Sequence, residues 1–280
     1  MFNRRTTGSV VCPGCGSLVG VKDSSCYNCG RANPGLFGFA PMLRQLSLRF
    51  GFAQFVIAAS SVLYVISLLL SGSDMQVAGG GMSFLAPSQT AIRLLGASGA
   101  YPVVVESAWW TVLSASWLHG SFLHILFNMM WVRDLGPGVA EMYGAARMII
   151  IYTIASVCGF LLSSVIGYYL PMPLFGSSFT LGASAPIFGL LGALVHYGRR
   201  GGSQAVRSQA VGYAVALFVF GVIMPGVDNA AHAGGFVGGY LASVWLDPLK
   251  PERLDHYVGA AICLVATLLS IVASVVTVLV

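Results

Sequence analysis

Long apolar stretches separated by short polar segments run through the chain from about residue 52 onward. A helix needs about 20 predominantly apolar residues to cross the hydrocarbon core of a bilayer. The second and sixth stretches are polar or rich in glycine, and we include them because the flanking loops require evenly spaced crossings. The pattern predicts an all-α polytopic membrane protein with seven spanning helices, at about 52–71, 119–135, 145–168, 182–198, 208–224, 229–246 and 257–280.

The distribution of basic residues along these segments predicts their orientation. Cytoplasmic loops of membrane proteins carry an excess of Lys and Arg. If the N-terminus is cytosolic, Arg93 alone lies on the outer side, and the chain's net charge of +5 is largely a topology signal. Thirteen basic residues then lie inside: Arg4, Arg5, Lys22, Arg31, Arg44, Arg49, Arg133, Arg147, Arg199, Arg200, Arg207, Lys250 and Arg253. This bias predicts a cytosolic N-terminus and an external C-terminus.

The composition supports a lipid environment. Hydrophobic residues make up 56% of the 280 residues and charged residues only 8%, whereas a soluble domain is typically about 25% charged. These values exclude a soluble globular enzyme and a disordered chain, and they indicate the lipid bilayer as the main partner. With only 14 Lys and Arg, the chain is not a nucleic-acid-binding protein by composition.

Four regions follow from these patterns. We predict a small polar domain at residues 1–35, an interfacial linker at 36–50, a core of six spanning helices at 51–247, and an additional C-terminal helix within 248–280. The outer loop from Ser71 to Leu118 carries a glycine-rich run at 78–82 and the pair Trp109 and Trp110. Such a long loop is seldom without structure of its own, and its aromatic residues predict that it is partly embedded in the outer interface.

The polar N-terminal region contains two Cys-x-x-Cys pairs, each followed by glycine. The cysteines are Cys12, Cys15, Cys26 and Cys29. Four thiolates suit a tetrahedral Zn²⁺ ion, and metal binding would supply most of the folding energy of so short a segment. This zinc ribbon is the favoured interpretation and implies a reducing compartment. Two disulfides or a redox site are the alternatives.

Several polar side chains fall inside the predicted spans, where they are costly and need a reason. His119, His124 and Asn128 lie in the second span, Ser184 in the fourth and His232 in the sixth. These three spans run in the same direction, and the polar residues lie early in each of them. At 1.5 Å rise per residue, they share one depth in the outer part of the bilayer.

A serine and a histidine at one depth can form a nucleophile and its general base. Ser184 begins its span, where free N–H groups favour an oxyanion, and His124 and Asn128 can donate to the same charge. Close approach of the fourth and sixth spans is permitted by pairs of small residues: Ala185 with Gly189, and Gly235 with Gly239. The pattern therefore predicts a hydrolytic Ser–His dyad that needs no carboxylate.

Other interpretations of the same residues remain open. The serine and the glycines are compatible with packing alone, and His119, His124 and His232 are compatible with a metal site. A transporter with a histidine relay would predict inverted sequence halves, which we do not find.

Three segments resemble the rhomboid family of intramembrane serine proteases: His119-Gly-Ser-Phe-Leu-His124-Ile-Leu-Phe-Asn128, Gly182-Ala-Ser184-Ala, and Ala231-His232-Ala-Gly-Gly235. The resemblance covers about residues 52–247, and Glu141-Met-Tyr-Gly144-Ala-Ala-Arg147 is similar to a further family segment. The seventh span then makes a six-plus-one arrangement, and the zinc ribbon lies outside the family core. The chain departs from the family in carrying Ala185, rather than Gly, directly after the serine, and Thr111 after Trp110 in the outer loop.

The resemblance implies specific roles. Ser184 is expected to be the nucleophile and His232 the general base, with His124, Asn128 and the Ser184 N–H as the oxyanion hole. His119 and Gly182 are expected to belong to the same cavity, which admits water from outside. The expected substrate is a transmembrane segment of another protein, cut near its outer end. The resemblance also implies that no metal takes part in the chemistry.

Two further questions stay open from the sequence. A catalytically inactive rhomboid-like protein that binds transmembrane helices is the alternative function. The zinc ribbon could recruit a cytosolic partner, bind substrate tails, or simply cap the N-terminus. The expected location is a bacterial plasma membrane.

Overall fold

A computed structural model describes residues 4–12, 14–40, 51–77, 83–170 and 176–279. Most of the predicted interfacial linker, residues 41–50, and the glycine-rich run at 78–82 lie outside these described residues.

The described residues contain a small β-hairpin and seven long helices. The hairpin pairs β1 (Ser9–Val11) with β2 (Leu18–Gly20) in antiparallel register, with Val10 opposite Val19. Two short helices, α2 (Gln89–Leu94) and α3 (Thr111–Ser114), lie in the outer loop. The long helices are α1 (Phe52–Ser71), α4 (Phe122–Tyr143), α5 (Ala145–Tyr169), α6 (Ser184–Arg200), α7 (Gln204–Ile223), α8 (Asn229–Trp245) and α9 (Leu254–Leu279).

Each predicted span corresponds to one of these long helices, and the main difference concerns α4. The expected span began at residue 119 and ended at 135, whereas α4 begins at Phe122 and continues to Tyr143. Its start is set by Ser121, whose side chain accepts a hydrogen bond from His124 N at 3.2 Å and so caps the helix. Its continuation passes through Pro137, a residue that spanning helices tolerate better than soluble ones.

Four of the helical segments are long and apolar enough to cross a membrane by length and composition: Phe52–Asp74, Ala145–Tyr169, Gln204–Ile223 and Leu254–Leu279. The other three long helices, α4, α6 and α8, carry the polar residues of interest. The helices α6 and α8 have only 17 residues each, and their residues are largely buried among their neighbours. These two helices are thus shorter than the four segments named above, and their burial indicates an interior position among the helices.

Small residues bring α5, α6 and α8 into backbone contact. A β-carbon placed on Gly235 would collide with the Ala185 carbonyl, and one placed on Gly239 would collide with Gly189. A β-carbon on Gly189 would lie 3.1 Å from Gly235 O. In the structure α6 and α8 therefore pack closely through these small residues.

The outer loop is structured where it is described, as expected for a loop of its length. Besides α2 and α3 it forms single turns at Tyr101–Val105 and Ala115–Trp117. It is attached to the helices below it: Ser156 of α5 donates a hydrogen bond to Val112 O at 2.8 Å, and Gly182 N donates to Ala115 O at 2.9 Å.

The additional helix α9 is attached to the rest of the protein near both of its ends. Near its C-terminal end, Trp110 Nε1 of the outer loop donates to Ser274 Oγ at 3.1 Å. Just before its N-terminal end, Glu252 Oε1 accepts hydrogen bonds from Ala146 N at 2.9 Å and Arg147 N at 3.0 Å, at the start of α5. A carboxylate at that position is stabilised by the free N–H groups of the helix. Gly144 has φ of +89°, a conformation that favours glycine, and a β-carbon there would meet the Glu252 side chain.

Candidate active site

The beginnings of α4, α6 and α8 carry the predicted polar residues. His124 is the third residue of α4, Ser184 is the first residue of α6, and His232 is the fourth residue of α8. Asn128 lies one turn further along α4 than His124. Contacts at these helix starts join α4 to the segment before α6, and α6 to α8.

His232 lies against the second turn of α6. Its imidazole stacks on the ring of Phe188, with ring centroids 4.3 Å apart and an angle of 16° between the planes. Phe188 is four residues after Ser184, so the two side chains share one face of α6. The contact between Ala185 and Gly235 joins the same two helices next to both residues.

Ser184 and His232 are not hydrogen-bonded to each other among the described residues. His232 is buried, and its Nδ1 has no hydrogen-bond partner among them. Ser184 is half-buried. The structure therefore brings the two residues onto adjacent helix turns without joining their side chains.

His124 has a defined orientation. Its Nδ1 accepts a hydrogen bond from Gly120 N at 3.3 Å, so its proton is assigned to Nε2. That nitrogen faces Gly182: a β-carbon on Gly182 would lie 2.6 Å from His124 Nε2. Gly182 also has φ of +126°, a conformation that favours glycine. An N–H donor of α4 is thus placed two residues before Ser184 along the chain.

Asn128 and His119 lie beside His124. Asn128 Nδ2 donates to His124 O at 2.8 Å, and this leaves its second amide hydrogen for another acceptor. His119 is only 1% exposed, and its ring centroid lies 5.2 Å from that of His124. Neither ring nitrogen of His119 has a hydrogen-bond partner among the described residues.

The first turn of α6 lacks a side-chain cap. Ala183 occupies the position before the helix and makes no side-chain hydrogen bond to it. The first N–H groups of a helix have no intrahelical acceptor, so those of Ser184 and Ala185 are not used by the helix itself. Pro186 follows in the same turn and has no N–H to satisfy.

The structure accommodates the alanine that follows Ser184. Ala185 is fully buried, and the residue opposite its side chain is Gly159 of α5. A β-carbon on Gly159 would lie 2.8 Å from Ala185 Cβ. The methyl group at 185 therefore fits because position 159 has none.

Two residues that the sequence analysis did not single out hold the α8 end of the site. Asp228 accepts a hydrogen bond from Ala231 N at 3.0 Å and caps α8. Ser163 of α5 donates a second hydrogen bond to the same carboxylate. An aspartate placed directly before the Asn-Ala-Ala-His run is a recognisable N-cap signal, and it could have been found from the sequence. The role of Phe188 could not, because it depends on a contact between two helices.

The four N-terminal cysteines lie together. Their sulfur atoms are all within 4.8 Å of one another, with Cys12 Sγ 3.7 Å from Cys29 Sγ and Cys15 Sγ 3.6 Å from Cys26 Sγ. These separations are far longer than a disulfide bond of about 2.05 Å. They match the sulfur–sulfur distance of about 3.8 Å that tetrahedral geometry requires for Zn–S bonds of about 2.3 Å. The four thiols therefore fit a metal ion.

The backbone around the cysteines supports metal binding. Gly16 and Gly30 follow the two Cys-x-x-Cys pairs with φ of +76° and +71°, and each donates its N–H to the carbonyl of the first cysteine of its pair at 2.9 Å. Hydrogen bonds from the side chain and backbone of Ser17 lower the pKa of the Cys15 thiol to about 6. Against the lowering effect of a hydrogen bond from the Arg31 backbone, the neighbouring thiols and burial raise the pKa of the Cys29 thiol to about 12. The support for a metal therefore comes from the positions of the sulfur atoms.

Comparison with known proteins agrees with these features. The family model of the Rhomboid domain matches residues 106–248. The chain is 29% identical to the rhomboid protease GluP of Bacillus subtilis over 167 residues, which cover 59% of this chain and 31% of GluP. It is 31% identical to RHOMBOID-like protein 7 of Arabidopsis thaliana over 165 residues, covering 56% of this chain and 49% of that protein.

A shorter relative is matched over most of its length. The protein YdcA of Bacillus subtilis, whose name also places it with the rhomboid proteases, is 30% identical over 159 residues, covering 54% of this chain and 73% of YdcA. By contrast, the chain spans half or less of the length of GluP and RHOMBOID-like protein 7. The relatives include plant and bacterial proteins, so the bacterial location stays a prediction. With half of its residues matched by the Rhomboid domain and its apolar helices, this membrane protein belongs to the rhomboid family.

Proposed function

We propose that the protein is an intramembrane serine protease that hydrolyses a peptide bond in or near a transmembrane segment of another membrane protein. The observation that carries the proposal is the stacking of His232 on Phe188, one turn after Ser184 on the same helix face. This contact supports placing an imidazole base beside the only hydroxyl in the first turn of α6. The names of the rhomboid proteases among its relatives support the same reaction class.

In the proposed reaction Ser184 is the nucleophile and His232 the general base. Ser184 Oγ attacks the carbonyl carbon of the scissile bond while its proton passes to His232 Nε2. The imidazolium then returns the proton to the leaving amine as the C–N bond breaks, and a water molecule hydrolyses the acyl-enzyme by the same steps in reverse order. Nε2 is assigned because Nδ1 is enclosed without a partner. Asp228 is already engaged with Ala231 and Ser163, so the pair acts as a dyad.

The proposed oxyanion hole is built from His124, Asn128 and the Ser184 N–H. His124 contributes Nε2–H, whose proton is held there by the hydrogen bond that Gly120 donates to Nδ1. Asn128 contributes its second amide hydrogen, and the uncapped start of α6 contributes a backbone N–H and the positive end of the helix dipole. Such preorganised donors are typically the largest single contribution to acyl-transfer catalysis.

His119 and Gly182 are assigned to the cavity around this site. A buried imidazole with no partner at either nitrogen is costly unless water satisfies it. We therefore infer that water reaches His119 from the outer side, and this water supplies the hydrolytic step. Gly182 keeps the space in front of His124 Nε2 free of any side chain.

The proposed substrate is a transmembrane segment that unwinds near its outer end. A helix hides its own carbonyl groups in hydrogen bonds, so a peptide bond must leave the helix before Ser184 can attack it. This places the cut close to the outer membrane face, at the depth of the helix starts.

We extend the proposal to the topology and to the four regions of the chain. Residues 1–35 would form a cytosolic ribbon holding a structural Zn²⁺ through its four cysteines, and residues 36–50 an interfacial linker. Residues 51–247 would form the catalytic core in a plasma membrane, and 248–280 would add one helix with an external C-terminus. The bias of Lys and Arg supports this orientation.

Labelling with a fluorophosphonate probe tests the dyad directly. We expect the wild-type protein in detergent to be labelled, and Ser184→Ala and His232→Ala to lose labelling. Ser208→Ala, which changes an exposed serine near the start of α7, serves as the matched control and should be labelled as wild type. Absence of labelling in a folded wild-type protein would contradict the proposal and favour an inactive family member that binds transmembrane helices.

Substrate cleavage is tested by co-expression with candidate single-span proteins. Wild type should generate a shortened product whose new terminus, mapped by mass spectrometry, lies near the outer end of the span. The product should be absent with Ser184→Ala.

A further inference from the structure

The net positive charge of this protein is confined to the segment that precedes its first membrane helix. Residues 1–51 contain six basic residues and only one acidic residue, Asp23, whereas the rest of the chain carries eight of each. The whole net charge of +5 therefore resides in this segment. Folding of the ribbon does not require this excess of basic residues, because no charged side chain belongs to its core. That core consists of Val10, Cys12, Val19, Val21 and Cys26.

Part of this charge surrounds a cleft on the ribbon. The cleft has a volume of about 450 Å³, and its lining includes Arg4, Arg5, Lys22 and the aromatic ring of Phe37. All three cations are exposed, and Phe37 is 69% exposed. An exposed aromatic side chain beside unpaired cations is typical of a surface that meets the headgroup region of a membrane.

The arrangement of these side chains is fixed by specific contacts. Arg5 N donates to Gly38 O at 3.0 Å, and Arg4 Nε donates to Phe37 O at 2.8 Å. The Arg4 guanidinium also lies 5.3 Å from the centroid of the Phe39 ring. The two arginines and the two aromatic residues therefore form one surface, and Lys22 lines the same cleft. We call this surface the basic aromatic face (Arg4, Arg5, Lys22, Phe37 and Phe39).

The cleft is lined by three cations and one carboxylate, Asp23, so the face keeps a positive charge. None of its cations takes part in an ion pair among the described residues, and Asp23 accepts a hydrogen bond from Gly20 N at 2.7 Å. The cations are thus available to an external anion.

We propose that the basic aromatic face binds the anionic lipid headgroups of the membrane in which the protein resides. The proposal rests on the cytosolic placement of the N-terminus but does not depend on the proposed proteolytic function. Residues 40 and 51 are eleven residues apart, so the ribbon can lie no more than about 40 Å from the start of α1. With a cytosolic N-terminus, the ribbon therefore always stays within reach of the cytosolic leaflet. Basic residues next to a membrane helix are attracted to anionic lipids in that leaflet.

Hydrogen exchange of the full-length protein in nanodiscs tests the proposal. In phosphatidylglycerol nanodiscs at low salt, the amides of residues 4–7 and 35–40 should exchange more slowly than in phosphatidylcholine nanodiscs. Each Arg or Lys near an anionic surface contributes about a fivefold change in binding, so Arg4→Gln, Arg5→Gln and Lys22→Gln should reduce this protection stepwise. The protection should also disappear at about 1 M salt, where the Debye length is about 3 Å.

Two controls separate binding from loss of structure. Arg253→Gln removes a basic residue outside the ribbon, which pairs with Asp255, and should leave the protection unchanged. The amides of the hairpin, Val10 and Val19, should stay protected in every variant, because they belong to the ribbon core. A variant in which these amides lose protection is unfolded. In that case Phe37→Ser, which keeps all cations, tests the same face and should reduce the protection in phosphatidylglycerol nanodiscs.

Other occupants would appear as different outcomes. Equal protection in both kinds of nanodisc overturns the proposal. A second outcome would also overturn it. If added inorganic phosphate, or an acidic peptide such as oligo-glutamate, protected these amides in phosphatidylcholine nanodiscs as strongly as phosphatidylglycerol does, the face would recognise a soluble anion.

Discussion

The imidazole of His232 and the ring of Phe188 lie face to face, 4.3 Å apart between centroids. In many serine hydrolases a carboxylate orients the histidine, but His232 Nδ1 has no hydrogen-bond partner among the described residues. In the proposed dyad the stacked ring would supply the constraint on orientation that a carboxylate supplies in those enzymes, and it would do so from the same helix that carries Ser184.

Replacing the Phe188 ring by a leucine side chain should reduce the activity more than the stability. An aromatic pair contributes about 0.5–1.5 kcal/mol beyond its buried area, so Phe188→Leu should lower kcat by up to about tenfold while the protein stays folded. Cleavage kinetics and thermal unfolding of the same preparation provide the measurement. Phe220→Leu on α7 changes an exposed phenylalanine and should leave kcat unchanged. An unchanged kcat in Phe188→Leu would show that the stack does not orient His232.

Gly182→Ala should remove most activity. The new methyl group would lie 2.6 Å from His124 Nε2, and φ of +126° disfavours any side chain at this position. Displacing one oxyanion donor costs about a hundredfold to a thousandfold in kcat. Gly212→Ala is the matched control, because a β-carbon there meets nothing within 4 Å. Full probe labelling and cleavage by Gly182→Ala would argue against a role for His124 in the site.

Asp228→Ala should destabilise the start of α8, on which His232 lies. Loss of an N-cap costs about 1 kcal/mol, and the Ser163 hydroxyl would lose its acceptor as well. Asp228→Asn keeps a side-chain oxygen and should retain most of the stability and activity. The free energy of unfolding in mixed micelles and the rate of probe labelling measure the two effects. If Asp228→Ala matched the exposed control Asp134→Ala in both, the cap would have no role.

The hydrogen bond from Trp110 to Ser274 should couple α9 to the outer loop. We expect Ser274→Ala and Trp110→Phe each to lower the free energy of unfolding by about 1 kcal/mol, and the double variant to lower it by little more than either. Thr277→Val, which changes an exposed residue one turn from Ser274, is the control. Additive losses in the double variant would contradict a direct interaction.

Chelation should separate the ribbon from the catalytic core. We expect a strong chelator to release a single zinc ion per chain and to unfold residues 10–30, while fluorophosphonate labelling of Ser184 persists. Cys29→Ser should prevent metal binding, whereas Cys158→Ser, in α5, should not affect the metal content. Metal analysis and hydrogen exchange provide the readout. Loss of labelling on chelation would show that the ribbon supports the active site.

The sequence predicted the helices better than the contacts between them. The long apolar segments could be recognised because lipid imposes one length and one composition on every crossing. The positions of His124, Ser184 and His232 near helix starts could be predicted, because polar residues are costly in a membrane span and these three lie early in spans that run in the same direction. The end of α4 was predicted eight residues early, since Pro137 between two glycines looks like a helix end when its neighbours in space are unknown.

The contacts that position the site depend on pairs of residues far apart in the chain. Neither the stacking of Phe188 on His232 nor the fit of Ala185 against Gly159 has a local sequence signal. The same is true of Glu252, whose carboxylate meets the start of α5 more than 100 residues earlier in the chain. Each of these contacts requires the helix packing to be known first.

The attachment of α9 near both ends also restricts how another membrane-embedded segment can reach the protein. The helix packs along α5 and against the outer-loop helices α2 and α3, and it is tied at Trp110 and through Glu252. An incoming transmembrane segment cannot dock on the part of α5 that α9 covers. For the proposed transmembrane substrate, lateral access would therefore be confined to the sides that α9 leaves uncovered, among them the side where Trp131 of α4 meets Tyr213 of α7 with ring centroids 5.2 Å apart.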